Sequence, residues 1–317
     1  MTLDLDVRSQ ELKASGWSNF RASLELQWAS QSRPHPLSAH PERLFTPLEW
    51  KPDTWQLDML KRSERQTIVL CPRQSGKSLS AAAKALVTAL TRPNSLSVII
   101  SRSQHQAAEV LLKVSILHKA WLGELKGRRL DRLKSWQPKP ITDYDLEEAD
   151  VECVRDNALS KAFENGSRIE TFACKGETAV GTTTDLLILD EAARMPDSVY
   201  YSVRPTLAIA QSKGKGELVA LSTPFGKRGW FYEEWERCEK SKKEGTKSDW
   251  RQVSIDVNQC PRITKEFLAS EERSMGARWF AQEYGLSFSD AVDSVFSHDD
   301  IERAMKPRAQ SLIMEEV

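Results

Sequence analysis

Residues 71–78 read Cys71-Pro72-Arg73-Gln74-Ser75-Gly76-Lys77-Ser78, set between an apolar run at 67–70 and an alanine-rich, helix-forming stretch at 79–90. Strand, loop and helix in that order form the setting in which Gly-Lys-Ser cradles phosphate. Gly76 lets backbone N–H groups come close, Lys77 reaches the β and γ oxygens, and Ser78 can hold Mg2+, with Gln74 and Ser75 lining the same loop. Cys71 stands where the pattern Gly-x-x-x-x-Gly-Lys-Ser/Thr has its first glycine, so the motif rests on its last three positions and on its surroundings.

Binding a triphosphate is not hydrolysing it, which also needs a carboxylate for the metal and a base or positioner for the attacking water. Residues 185–191, Asp185-Leu186-Leu187-Ile188-Leu189-Asp190-Glu191, are a short apolar strand ending in two acids, expected to neighbour the P-loop strand. Asp190 would serve the metal shell and Glu191 would polarise water. A third apolar run, 218–221, leads into Ser222-Thr223-Pro224, whose hydroxyls can sense the γ-phosphate. In open parallel α/β sheets ligands sit at the carboxyl ends of the strands, where all three segments put their polar residues.

Composition sets the frame. A chain of 317 residues, 40% hydrophobic and 28% charged with a formal net charge of zero, is a soluble globular composition and not an indiscriminately basic nucleic-acid binder. Its first residues lack the apolar core of a signal peptide, and no segment has the uninterrupted apolar length of a spanning helix, which makes a cytosolic protein the expectation. The five cysteines, Cys71, Cys153, Cys174, Cys238 and Cys260, lie singly and read as reduced packing residues. Two segments are locally basic. Residues 119–139 carry Lys126, Arg128, Arg129, Arg132 and Lys134 between Trp121 and Trp136, and residues 237–251 carry Lys240, Lys242, Lys243 and Lys247. Both read equally as phosphate contacts and as solvated loops.

Along the chain, residues 1–48 read as an appendage and linker, with a weak helical stretch at 20–30 and a Pro/His/Ser-rich connection at 32–47. From 49 to 225 strands and helices alternate: strands at 67–70, 97–101, 168–174, 186–190 and 218–221, with helices after the P-loop and at 104–122. That alternation implies an α/β fold with a mostly parallel sheet flanked by helices. Residues 123–150 read as an insertion or long loop. Residues 226–317 hold a further strand at 252–257 and helices at 264–273 and 276–284. Just before the P-loop strand, Gln56 beside Trp55 is a pair that can read an adenine edge and stack on its face.

Taken in order, these elements resemble the ATPase region of the terminase large subunit of tailed bacteriophages, the motor that drives double-stranded DNA into a preformed capsid. Trp55-Gln56 resembles that family's adenine motif, and residues 71–78 its Walker A with a non-glycine first position and an Arg-Gln pair. Leu186-Leu187-Ile188-Leu189-Asp190-Glu191-Ala192-Ala193 resembles its Walker B with catalytic glutamate, and Leu221-Ser222-Thr223-Pro224 its coupling motif. Gln282-Glu283-Tyr284 and Ser294-Val295-Phe296 are similar to the stretch that closes the ATPase region.

The resemblance implies a P-loop NTPase of the ASCE, RecA-like kind with a small C-terminal lid or linker subdomain, working with ATP and Mg2+. It makes Lys77 and Ser78 phosphate and metal contacts, Asp190 the metal-shell carboxylate, Glu191 the catalytic base, Arg73 a γ-phosphate contact able to move between nucleotide states, and Thr223 the residue linking hydrolysis to movement. It implies double-stranded DNA, portal protein and a small terminase subunit as partners. A homo-oligomeric ring of usually five subunits would assemble at the procapsid portal vertex in the host cytoplasm, from chains that can be monomers in isolation.

Two departures stand out. Val180 precedes Gly181 where many members carry an arginine acting across subunits, leaving Arg168, Arg194, Arg204 and Arg228 as alternatives. The nuclease domain that normally follows is not expected here, since Asp290, Asp293, Asp299 and Asp300 lie in a short acidic segment that reads as a solvated cap. The competing readings are a DExx-type helicase or translocase, which needs a second RecA-like domain, and a non-catalytic nucleotide-binding assembly module, which has no need to keep Lys77, Ser78, Asp190 and Glu191 together.

Overall fold

The computed structural model describes residues 35–134, 151–174 and 182–289, with backbone alone over 125–134. Four runs fix the centre of the sheet: β1 (Gln66–Leu70), β2 (Leu96–Ser101), β6 (Leu186–Asp190) and β7 (Glu217–Ser222), each buried at every position. Continuous apolar runs of this kind belong to parallel strands covered by helices on both faces. Three short strands, β3 (Cys153–Asp156), β4 (Ser160–Phe163) and β5 (Arg168–Ala173), form one wing, and β8 (Arg251–Ser254) forms the far edge. The order is β3-β4-β5-β2-β6-β7-β1-β8. All pairings from β5 to β8 are parallel, while β3–β4 and β4–β5 are antiparallel.

Helix α1 (Thr54–Lys61) starts at a capping box, in which Asp53 and Gln56 satisfy each other's backbone N–H groups. Helix α2 (Lys77–Thr91) leaves the P-loop, and its alanines at 81, 82, 83, 85 and 89 are fully buried. Small side chains let it lie close between the sheet and α3 (Gln104–Lys134). On the opposite face are α4 (Asp197–Val203) and α5 (Gly229–Glu244), and α6 (Lys265–Glu283) is the last described helix.

Several expectations need correction. The acidic strand β6 does not neighbour the P-loop strand: β7 lies between them and pairs with both. Separation along the chain does not fix lateral order when crossover helices can skip a strand. The helix expected at 104–122 runs on to Lys134, into the stretch expected as a loop. Lys, Arg and Leu hold a helix by propensity even where no clean apolar stripe marks it. Strands β3 and β4 were too short and too polar to stand out.

Residues 35–48, expected as linker, instead supply buried Leu37, Leu44 and Phe45 to the core. The segment after 225 is equally continuous with the core. It adds β8 to the same sheet and, through α5, packs Trp230, Phe231 and Trp235 against strand residues such as Leu187 and Leu189. The basic reading of 237–251 began midway along α5 and so missed this apolar face. β8 is shorter than expected because Asp256 caps a turn at Val257–Gln259. The two expected helices after 264 are one run broken at Gly276, whose φ of 78° and ψ of 159° are not helical.

Candidate active site

Strand β1 ends at Leu70, and the chain turns away over the end of β7: Cys71 N–H donates to the Ser222 carbonyl at 3.0 Å, with Cys71 Sγ 3.7 Å from the same oxygen. Burial pushes this thiol up to about 12, so it stays a neutral packing group between the P-loop and β7. Gln74 (φ 57°) and Gly76 (φ 91°) put two left-handed residues into the loop. At Gly76 the left-handed backbone favours glycine, and a Cβ there would also sit 2.7 Å from Gln56 Nε2 and displace that amide. The loop then opens directly into α2, whose free N–H groups and positive dipole end face the cradle.

The two acids arrive from β6. Asp190, a buried carboxylate, accepts from Ser78 Oγ at 3.0 Å through Oδ2, and Glu191 Oε1 pairs with the buried Lys77 Nζ at 3.4 Å. Glu191 itself is left-handed (φ 58°, ψ 42°), a costly conformation for a non-glycine residue that bends the chain at the strand end. Burial first, and the neighbouring Glu191 charge second, raise Asp190 to about 6. Asp190 Oδ1 and Glu191 Oε2 are buried without a hydrogen-bond partner. Between the two strands, Ser222 Oγ accepts the Ala193 N–H at 3.1 Å, while its carbonyl holds Cys71. Ser222 thus ties the P-loop to the turn after Glu191, and Thr223 is buried beside it.

Beside Gly76 opens a cavity of about 860 Å3, lined by Trp50, Pro52, Gln56, Leu79, Pro261 and Arg262 among others. Gln56 reaches it, but with both amide ends engaged: Oε1 accepts from Asp53 N–H at 2.8 Å and Nε2 donates to Ser80 Oγ at 2.9 Å. The aromatic expectation needs correction, because Trp55 is only 7% exposed and belongs to the core. The indole on the cavity is that of Trp50, 43% exposed. Position 55 on α1 points inward, which the dipeptide could not reveal; the aromatic-proline pairing at Trp50 and Pro52 was the available signal. Arg262, from the loop before α6, forms two bonds to Asp53, at 2.9 and 2.6 Å, across the same cavity.

Arg73 is 61% exposed, and its Nε lies 3.0 Å from Glu283 Oε2 at the end of α6. Of the four alternative arginines, Arg194 donates to Glu283 at 3.2 Å and lies 4.2 Å over the Phe225 ring, while Arg228 is exposed near that ring at 5.8 Å. Arg204 sits by Gln66 at the start of β1, and Arg168 opens β5; in parallel strands both are at the wrong end for this site. Val180 and Gly181, the side chains of the basic run from 126 to 136, and Asp290, Asp293, Asp299 and Asp300 lie outside the described residues. On α5, Arg237, Lys240 and Lys242 pair with Glu234, Glu244 and Glu239, the pattern of a solvated helix face. Among the described residues no cluster of three or more His, Cys, Asp or Glu could hold a metal, and no helix is long and apolar enough to cross a membrane.

The family model described as terminase large subunit, T4likevirus-type, N-terminal, matches residues 68–303. The terminase large subunit of Thermus virus P23-45 is 28% identical over 283 residues, covering 82% of this chain and 53% of that protein. The chain therefore spans about half the length of this relative. Among solved structures, the large terminase ATPase domain of Thermus phage P74-26 superposes with a TM-score of 0.56 at 23% identity, over 77% of this chain and 97% of that one. The HK97 bacteriophage large terminase does so at 0.53 and 14%, over 78% and 55%. At these identities the superpositions establish the shared fold, a P-loop NTPase sheet with flanking helices.

Proposed function

The chain belongs to the terminase large subunit family, and we propose that it hydrolyses ATP to drive double-stranded viral DNA into a procapsid. The observation that carries this reading is the convergence at one strand end: Ser78 on Asp190 and Lys77 on Glu191, residues more than a hundred positions apart. Asp190 Oδ1 and Glu191 Oε2, buried and without partners, suit a site that takes a cation and a water. Ser78 and Asp190 would hold Mg2+, which when bound supplies positive charge against the β and γ oxygens.

The remaining roles follow from what each group can reach. Lys77 and the P-loop amides grip the phosphates, and Lys77 leaves Glu191 for the γ oxygens, freeing that carboxylate to orient and deprotonate water. Arg73 lies on the open side of the loop, from which its planar fork can meet the γ-phosphate. The base would occupy the cavity beside Gly76, stacked on Trp50. Thr223, next to the Ser222 bridge, would pass a change at the phosphates to the turn after Glu191. Portal protein, a small terminase subunit and a five-membered ring are the partners this reading brings, acting at the portal vertex in the host cytoplasm.

Steady-state ATP hydrolysis with and without double-stranded DNA, in the unmodified chain, Lys77→Ala and Glu191→Ala, tests it. Turnover stimulated by DNA and abolished by Glu191→Ala with nucleotide binding retained is the expected result. Equal, negligible rates in wild type and Glu191→Ala in the presence of DNA and portal would remove the catalytic assignment.

A further inference from the structure

Strand β2 ends beside Asp190, and it ends in a buried hydroxyl. The parallel register pairs Ile99 with Ile188 and Ile100 with Leu189, so Ser101 and Asp190 come next, at the carboxyl ends of adjacent strands. Side chains alternate along a strand, and Ile99 and Ile188 both enter the core layer that α2 covers. Ser101 and Asp190, two residues further on, share that face. Ser101 is 1% exposed and Asp190 3%, and neither Ser101 Oγ nor Asp190 Oδ1 has a hydrogen-bond partner. An unpartnered hydroxyl alone decides nothing, since Ser97 Oγ, on the same strand and face, is in the same state beside Leu186. What sets Ser101 apart is the unpartnered carboxylate oxygen on the neighbouring strand.

Ser78 holds Asp190 through Oδ2 alone, at 3.0 Å. One anchored oxygen leaves the carboxylate able to turn about its Cβ–Cγ bond, a torsion with broad preferences, whereas a second anchor on Oδ1 fixes its plane. We propose that Ser101 supplies that anchor: its hydroxyl holds a single buried water that donates to Asp190 Oδ1, which makes Ser101 a positioning residue for the carboxylate. Two buried polar atoms on one face, not bonded to each other and without other partners, are what such a water requires. An ionised carboxylate has about four acceptor sites, so Oδ1 can take this water and still face a cation. The proposal rests on the reading of Asp190 as the residue that serves Mg2+, and no step of hydrolysis touches Ser101.

The test is the affinity of the full chain for ATPγS, measured in Mg2+ and in EDTA, for wild type, Ser101→Ala, Ser101→Thr and Ser97→Ala. Losing the outer support of a metal ligand typically costs about 10–100-fold in metal affinity. Ser101→Ala is therefore expected to cut the gain in affinity that Mg2+ confers by about tenfold, with affinity in EDTA unchanged. Ser101→Thr keeps the hydroxyl, and Ser97→Ala removes the one at the far end of the strand; both are expected to keep the wild-type gain. A merely structural role would weaken binding equally with and without Mg2+, and that result overturns the proposal. It is overturned as well by an undiminished gain in Ser101→Ala, by an equal loss in Ser97→Ala, or by a Ser101→Thr that does not restore the gain. The nucleotide site itself stands under all of these. A wild type whose ATPγS affinity Mg2+ does not raise overturns the reading of Asp190 first, and this proposal with it.

Discussion

Helix α2 carries two buried lysines, two turns apart, each paired with a glutamate from the sheet, and the pairs are built to opposite ends. Lys84 Nζ lies 3.0 Å from Glu217 and also donates to the Arg62 carbonyl at 2.7 Å, while Glu217 is further held by Ser63 Oγ at 2.8 Å and by Arg92. Every charge there is answered. The pair at the P-loop end, Lys77 with Glu191, is longer at 3.4 Å, and Glu191 Oε2 and its neighbour Asp190 Oδ1 have no partner. A saturated buried network holds a fold together, whereas an unsaturated one holds places for atoms that arrive later. The two lysines are alike in their burial, and the pairs differ in how much hydrogen-bond capacity their carboxylates keep.

That contrast can be broken most directly at the end proposed to be catalytic. Glu191→Gln is expected to lower kcat by about 10^2–10^4, the usual contribution of a positioned general base, without lowering Tm; a thermal melt beside an ATPase assay checks both halves. At the structural end the prediction is reversed. Glu217→Ala leaves Lys84 buried and uncompensated and should cost about 3–5 kcal/mol in urea unfolding, with ATPγS affinity per folded molecule preserved. If it were instead Glu191→Gln that destabilised the chain and Glu217→Ala that spared it, the distinction would fall.

Acid sharpens the comparison further. Burial alone would raise the Glu217 carboxyl, but Lys84 and Arg92 outweigh it and hold it below the usual carboxylate range. The stability it adds is therefore full above the unfolded carboxyl's pKa of about 4.3, and is lost as pH falls through its lower folded value. Unfolding free energies of wild type and Glu217→Gln, measured from pH 7 downward, should differ most at neutral pH and converge in acid. The smallest expected effect is at the cavity: Trp50→Ala should weaken ATP binding by about 1–2 kcal/mol, a stacking contribution, read as a rise in Kd with Tm nearly unchanged.

Much of the site was legible in sequence because the residues proposed to serve the phosphates sit at sharp changes of pattern. Gly76-Lys77-Ser78 marks the switch from strand to helix, and Asp190-Glu191 and Ser222-Thr223 each end an uninterrupted apolar run. Trp55 misled because a tryptophan beside a capping glutamine looks the same whether its helix faces a cavity or the core. Glu283 was visible only as part of a motif, since nothing near it in the chain names its partners, 89 and 210 residues away.

By itself the sequence determined the local chemistry: the cradle, the acids and the alternation that makes a parallel sheet. Those follow from steric and hydrogen-bonding rules that act within a few residues. Only the tertiary structure decided that β7 stands between β1 and β6, that residues 35–48 belong to the core, that Trp50 and not Trp55 faces the cavity, and that Glu283 closes on Arg73. Each of these is a contact between segments distant along the chain, chosen by which apolar faces can be buried together, and no local pattern encodes that choice.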